Sequence, residues 1–489
     1  MRSSGSSAGA VRTPSGVIIA VLAGAGIVVS LMQTLIVPLI PRLPEMLHTT
    51  PADASWAITA TLLTGAVATP VVGRLGDLYG KRLMLLISAI VLAAGSVVCA
   101  LTDALGPMVA GRALQGMGVG VIPLGISIMR DVLPPRRLGS AIGLMSSSLG
   151  VGGALGLPLA AAVAQGANWH VLFWGSAALG LLIAALAAVL VPESPLRTGG
   201  RFDVPGALGL LVGLTALLLP VSKGGDWGWT SAPTLGLFAT AVVVLTLWGW
   251  WELRVPAPLV DLRTTVRRQV LLTNLASIVV GFAMLAMSLI SPQLLQLPAA
   301  TGYGLGQTML GAGLWMAPAG LVMMAVSPLA ARVSARHGPK VSLLSGALVI
   351  ACGYALALPL MSSAFGVLVF GAVISAGVGL AYAAMPALIM DAVPITETAA
   401  ANGFNSLMRS LGTSTSSTVI GVILASMTVR AGGIEVPTAA AFRVSFLLGA
   451  GVAVLAALVV CAIPGRRTRA DAAGRAVSDV PAVVGDESA

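Results

Sequence analysis

Ten residues, GRLGDLYGKR from Gly73 to Arg82, set one Asp, two Arg and a Lys among three glycines, between two long apolar runs. Asp77 at the centre can accept hydrogen bonds from an Arg or from the N-terminus of a helix. Gly73 and Gly80 permit a close approach and a tight turn. Arg112 and Arg409 fall inside apolar runs, Arg112 three residues before Gln115. A charge there costs at least ~2.5 kcal/mol on insertion scales, so each Arg is either a polar cavity residue or a structural one bonded to helix carbonyls. Gln33, Thr34, Asn274, Gln293, Gln296, Asn402 and Asn405 also interrupt apolar runs. They should face a bundle interior or a cavity, in contact with substrate or in interhelical hydrogen bonds.

Other chemistry is missing. His48, His170 and His337 stand alone, and Cys99, Cys352 and Cys461 show no CxxC or Cys/His spacing, which makes the cysteines packing residues. There is no phosphate loop of the GxxxxGKS/T kind, no HExxH and no GxSxG in a suitable setting. Gly116-x-Gly118-x-Gly120 and Gly152-Gly153-x-x-Gly156 lie in apolar runs with no strand before them, so they read as helix contacts rather than nucleotide loops. ATP-driven pumping and metal catalysis are disfavoured, and neither a cofactor nor a metal is expected. All 17 Asp and Glu fall in expected loops, tails or helix ends, so the membrane-buried carboxylate of a usual proton relay is not in view.

The elements that must position these residues follow from composition. The chain is 57% hydrophobic and 9% charged, where a soluble domain carries about 25% charged residues. Its solvent is therefore lipid. Spanning helices need ~20 mostly apolar residues, and fourteen such runs are present, at about 17–40, 54–73, 83–101, 107–129, 138–164, 169–192, 205–221, 233–251, 269–296, 305–331, 340–361, 364–389, 400–427 and 441–463. They lack alternation, so strands are not expected there. The first run is too long for a signal peptide core. With fourteen spans both ends share a side. That side holds 21 of the 27 Lys and Arg, against four (Arg42, Lys223, Arg430 and Arg443) on the other. The positive-inside rule places both termini in the cytoplasm, and the net charge of +10 then needs no nucleic acid.

The fold class is thus an all-α membrane protein in a cell inner membrane. A tail at 1–16 precedes a six-helix bundle at 17–192, two extra helices at 193–268, a second six-helix bundle at 269–463 and a disordered tail at 464–489. Asp131 to Pro134 recurs as Asp391 to Pro394, offset by 260, and Pro70, Arg74 and Gly80 recur as Pro328, Arg332 and Gly338, offset by 258. Parallel repeats of six helices are a transporter architecture.

The order Gly73-x-Leu75-x-Asp77-x-x-Gly80-Lys81-Arg82 resembles the loop signature between helices 2 and 3 of the major facilitator superfamily. GRALQGMGVG, with Arg112, Gln115 and Gly116, is similar to the helix-4 motif of its proton-linked antiporters. Ser55-Trp56 and Trp169 also fit, and fourteen spans resemble the fourteen-helix drug:proton antiporter family over residues 17–463. The resemblance implies a monomer in the bilayer that exports small hydrophobic compounds by alternating access, with protons as coupling ion. It implies a cytoplasmic gate motif (Gly73, Arg74, Leu75, Asp77, Gly80, Lys81 and Arg82), a coupling motif (Arg112, Gln115 and Gly116) and a helix-5 hinge (Gly152, Gly153, Gly156 and Pro158). Gln33, Thr34, Asn274, Gln293, Gln296, Asn405 and Arg409 are the candidate substrate pathway. The chain departs from the family in helix 5, where Leu157 separates Gly156 from Pro158, and in helix 1, where Leu31-Met32-Gln33-Thr34 has no carboxylate. Ala335 stands where Asp77 stands in the first repeat, so gating is expected to be asymmetric. Uptake by symport or uniport, and a non-transporting receptor or scaffold, are the other readings.

Overall fold

A computed structural model describes residues 14–36, 39, 43–166, 168–431 and 434–464. Residues 1–13 of the expected tail at 1–16, residues 465–489 of the expected tail at 464–489, and Arg42 lie outside the described residues, whereas Ser15 and Gly16, expected in the tail, already belong to the first helix. Among those described, fourteen long helices dominate. The first six are α1 (Ser15–Thr34), α2 (Trp56–Tyr79), α3 (Lys81–Ala100), α4 (Leu105–Val132), α5 (Pro135–Gly166) and α6 (His170–Leu190). An inserted pair follows, α7 (Val204–Trp227) and α8 (Ala232–Glu252). The last six are α9 (Arg268–Gln296), α10 (Met309–His337), α11 (Pro339–Leu360), α12 (Ala364–Met390), α13 (Thr398–Ser426) and α14 (Ala439–Cys461). Thirteen are long and apolar enough to cross a membrane by length and composition. The other, α13, is as long as α9 but carries Asn402, Asn405, Ser406 and Arg409 on its buried side.

Hydrocarbon offers no partner for backbone N–H and C=O groups, so each apolar run closes its own ladder as a helix. Large apolar residues such as Ile90, Leu101, Val189, Val242, Leu247, Phe365 and Leu458 are left exposed, and lipid is the medium that covers them. Two short strands, Thr428–Ala431 and Ile434–Pro437, pair antiparallel between α13 and α14. They occupy a connection, where the apolar-run reading had nothing to say.

Buried cores follow the chain. One gathers residues from Ala276 to Ile463, and two others are drawn almost wholly from Ile18 to Val191. A fourth joins Leu210, Leu214 and Leu218 of α7 with Ala66 and Val67 of α2 and Leu407 of α13. The inserted pair is therefore packed onto helices from both six-helix groups through α7. At the far end of α7, Lys223 is buried, hydrogen-bonds to Ser55, and lies 3.3 Å from Asp226 and 5.1 Å from the Trp56 ring centroid. The loop lysine expected from the sequence is thus buried inside the helical assembly.

Candidate functional site

Residues 73–82 are not a loop. Helix α2 runs on to Tyr79 and α3 begins at Lys81, leaving Gly80 alone between them with φ 124° and ψ 127°. An L-residue pays for that backbone, and a Cβ there would also sit 2.8 Å from Glu193 Oε1. Gly80→Ala should lower stability by about 1–3 kcal/mol, read as a fall in the thermal unfolding midpoint of the solubilised protein.

The stretch stays helical because its polar groups meet protein rather than water. At Gly73 an added Cβ would lie 2.9 Å from the carbonyl carbon of Ala399 and 3.1 Å from Ala400 Cα, so α13 starts directly against α2. One turn further, Asp77 is fully buried and accepts the backbone N–H groups of Ala399 at 3.3 Å and Ala400 at 2.8 Å. Helix α13 has no capping side chain of its own. Asp77 thus caps the helix from outside, satisfying two of its free donors with a charge at the favourable end of the dipole.

Lys81 Nζ completes the junction. It lies 2.6 Å from Asp131 Oδ2 and 3.5 Å from Asp77 Oδ1, and donates to Thr398 Oγ1 at 3.3 Å. Arg74 approaches Glu397 at 3.8 Å, Arg130 donates to the Met390 carbonyl at 2.9 Å, and Thr198 Oγ1 donates to the Thr396 carbonyl at 2.7 Å. Among the expected gate residues, Gly73, Arg74, Asp77 and Lys81 converge on the start of α13. Gly80 makes the turn, Leu75 is half-buried without a polar role, and Arg82 donates to the Ala188 carbonyl of α6. Asp131, Arg130, Thr198, Glu397 and Thr398 were missed. The repeated Asp131/Asp391 motif was the available signal for the first of them.

Among the described residues the second repeat has no such latch. Its helix end, Ser327–His337, meets Gly338 at φ 91° and packs on α5, with Gly139 against Ala331 and Gly143 against Ser327. Asp391 is exposed.

Arg112 is buried where α1, α2 and α4 meet. Its Nε donates to the Ala57 carbonyl at 3.1 Å, and its Nη1 to the Met32 carbonyl at 3.2 Å and to Gln115 Oε1 at 2.6 Å. Gln115 Nε2 passes the network on to Ser96 Oγ at 2.7 Å. This bonding is that of the structural alternative left open by the sequence. Gly116 abuts α2 beside the Thr61 carbonyl, and Gly152 and Gly156 abut α1 at Ile27 and Leu31. A Cβ added at Gly153 would lie 3.9 Å from Thr34 Cγ2, and Pro158 backs onto Gly313 of α10.

The candidate pathway residues do not share one cavity. Thr34 Oγ1 donates to the Leu31 carbonyl, and Gln33 is half-buried. Asn405 Nδ2 donates to Asn274 Oδ1 at 2.9 Å and to Ser277 Oγ at 2.7 Å, tying α13 to α9. Asn402 Nδ2 turns back on the Thr398 carbonyl. Arg409 donates to Ser406 Oγ at 2.7 Å and lies 4.9 Å from the Tyr382 ring centroid. Gln293 and Gln296 are exposed. A shallow cleft lined by Arg74, Val260, Asp261, Asn274, Glu397 and Phe404 among others takes in only Asn274 of this set.

Two groups of six long apolar helices, joined at one face through a helix N-terminus, define a multi-pass membrane architecture. The sequence pattern of the Major Facilitator Superfamily matches residues 22–417, and again 277–484. The chain belongs to that superfamily. An uncharacterised transporter of this type from Mycobacterium tuberculosis is 29% identical over 408 residues, 81% of this chain and 58% of the relative. The chain thus spans little more than half of that protein's length. The multidrug resistance protein Stp of the same organism is 29% identical over 376 residues, 76% of this chain and 68% of Stp. The crystal structure of the human organic anion transporter MFSD10 (TETRAN) superposes with a TM-score of 0.66 at 15% identity, covering 91% of this chain and 99% of that one. That likeness is one of fold.

Proposed function

We propose that this protein is a secondary active exporter of small hydrophobic compounds, driven by the proton gradient. The observation that carries the reading is the latch of Asp77, Lys81 and Asp131 on the start of α13. It ties the first six helices to the last six at the face rich in Lys and Arg, which the positive-inside rule assigns to the cytoplasm. A conformation latched there is closed toward the cytoplasm, and breaking the latch opens the other half of an alternating-access cycle. The moving units are residues 17–192 and 269–463. Residues 193–268 ride between them, in a monomer of the cytoplasmic membrane with both termini inside. Arg112 and Gln115 hold the helices that bear the latch, and the Gly152, Gly153, Gly156 and Pro158 segment of α5 lets its contact with α1 flex. The names of relatives such as Stp support drug-like cargo.

Everted membrane vesicles test this. A fluorescent hydrophobic substrate should accumulate in them on energisation, and an uncoupler should return it to the level of vesicles lacking the protein. Accumulation indifferent to the uncoupler would sink proton coupling, and accumulation in right-side-out vesicles instead would make the protein an importer.

A further inference from the structure

The inserted pair carries a buried acidic site that no part of the transport reading uses. Asp203 caps α7, its Oδ1 accepting the Gly206 N–H at 2.9 Å. The indole N–H of Trp251 lies 3.2 Å from both carboxylate oxygens. At the end of α8, Glu252 Oε2 accepts the Val260 N–H at 3.4 Å, while Glu252 Oε1 is buried with no hydrogen-bond partner. Glu252 is 2% exposed and Asp203 7%. A Cβ placed on Gly206 would overlap Asp203 Oδ2 and lie 2.7 Å from Glu252 Oε1. Both oxygens therefore crowd the same side of Gly206 and leave no room for a methyl group, close enough for like charges to oppose each other's ionisation, an effect that acts over ~4–6 Å.

Among the described residues, no Lys, Arg or His comes within 4.0 Å of either carboxylate. On the adjoining linker, Arg254 is stacked on Trp250, Arg263 is bonded to the Leu253 carbonyl, and Asp261 caps the short helix Leu262–Thr265. From α2 and the start of α13, Arg74 and Glu397 face Val260 across the cleft and pair with each other. Arg201, two residues before Asp203, is exposed. Two buried anions without a counter-ion are far costlier than one anion beside one neutral acid.

We propose that Asp203 and Glu252 hold one proton between them, and that this proton keeps the 253–261 linker seated on the gate helices. Glu252 Oε1 carries the hydrogen and crowds the same side of Gly206 as Asp203. The proton comes from water at the Lys- and Arg-rich face and returns there, leaving two carboxylates. The linker is bound to the outcome: Val260 hangs on Glu252, and Leu259 and Val260 are buried against Ala66 and Val67 of α2 and Leu407 of α13. Loss of the proton sets two charges against each other where that grip is made. The site stands on its own geometry, while its part in the cycle rests on the proton-driven reading above.

Infrared spectroscopy of the purified full chain in lipid nanodiscs tests the site directly. A protonated-carboxyl band that shifts in deuterium oxide should persist at about neutral pH, well above the ordinary carboxylate range, and Glu252→Gln should remove it. Asp203→Asn, which takes away the neighbouring charge, should move loss of the band to lower pH. Absence of the band from the wild type, or its survival in Glu252→Gln, overturns the proposal. So does an Asp203→Asn protein that titrates like the wild type, which also decides the matter if the Gln variant does not fold. Flux in vesicles supplies the functional arm. Glu252→Gln should flatten the dependence on pH at the cytoplasmic face, whereas a merely structural glutamate would lower flux equally at every pH, and that result too overturns the proposal. Uncoupler-indifferent flux would remove the antiport reading but leave the band and its two variants as they are.

Discussion

Asp77→Asn should cut transport about tenfold to a hundredfold at unchanged expression. Among the described residues Asp77 is the only side chain that caps the first turn of α13, and it does so as an anion accepting two backbone N–H groups. Hydrogen bonds to charged groups contribute about 1.5–3 kcal/mol, and a loss of that size lowers the latched population by one to two orders of magnitude at ~1.4 kcal/mol per decade. Asparagine is nearly isosteric but can offer its oxygen to only one of the two amides, and its NH2 group faces the other donor. Lys81 keeps Asp131 at 2.6 Å, so the substitution strips the latch without leaving a lone buried cation. Amide hydrogen exchange at Ala399 and Ala400 should rise in step with the loss of flux. Arg82→Ala is the matched control, since Arg82 bonds to α6 within its own helix group and should leave that exchange unchanged. Wild-type exchange and flux in Asp77→Asn would refute the latch.

The fold was legible because lipid imposes one solution on each apolar run, and α1 to α14 fall where those runs do. The latch was half legible. Gly73, Asp77 and Gly80 stand out by type and spacing, yet Asp77 binds backbone amides 322 and 323 positions away. Amides carry no residue signature, so nothing in the sequence names them. The polar stretch looked like a loop because its partners lie in the other helix group.

The acidic residues failed for a related reason. Position along a helix placed Asp203 and Glu252 correctly at helix ends, but position along a helix does not decide burial. Leu259 and Val260 fold back over that end and exclude water from it. Lys223 repeats the lesson at the opposite end of α7, buried against Trp56. Both surprises fall on the inserted pair, which hydropathy alone presents as two more lipid-facing spans.

Arg112→Ala should be the most damaging single change for stability, by about 2–4 kcal/mol, the scale for breaking a buried hydrogen-bond network. The guanidinium sends Nε to α2 and Nη1 to α1 and Gln115, and Gln115 extends the brace to α3 through Ser96. Among the described residues no carboxylate lies within 4.0 Å of it, so helix carbonyls and one amide alone offset the cost of burying the charge. Truncation empties a large side-chain volume and strands Gln115 Oε1. Lysine restores the charge but not the fork, since a single ammonium cannot meet acceptors on two sides, and Arg112→Lys should recover less than half of the lost stability. Stability and flux should fall together in both variants, and whatever flux remains should keep its wild-type response to an uncoupler. An Arg112→Lys protein that unfolds like the wild type yet transports without regard to the proton gradient would show that Arg112 acts in coupling rather than as a brace.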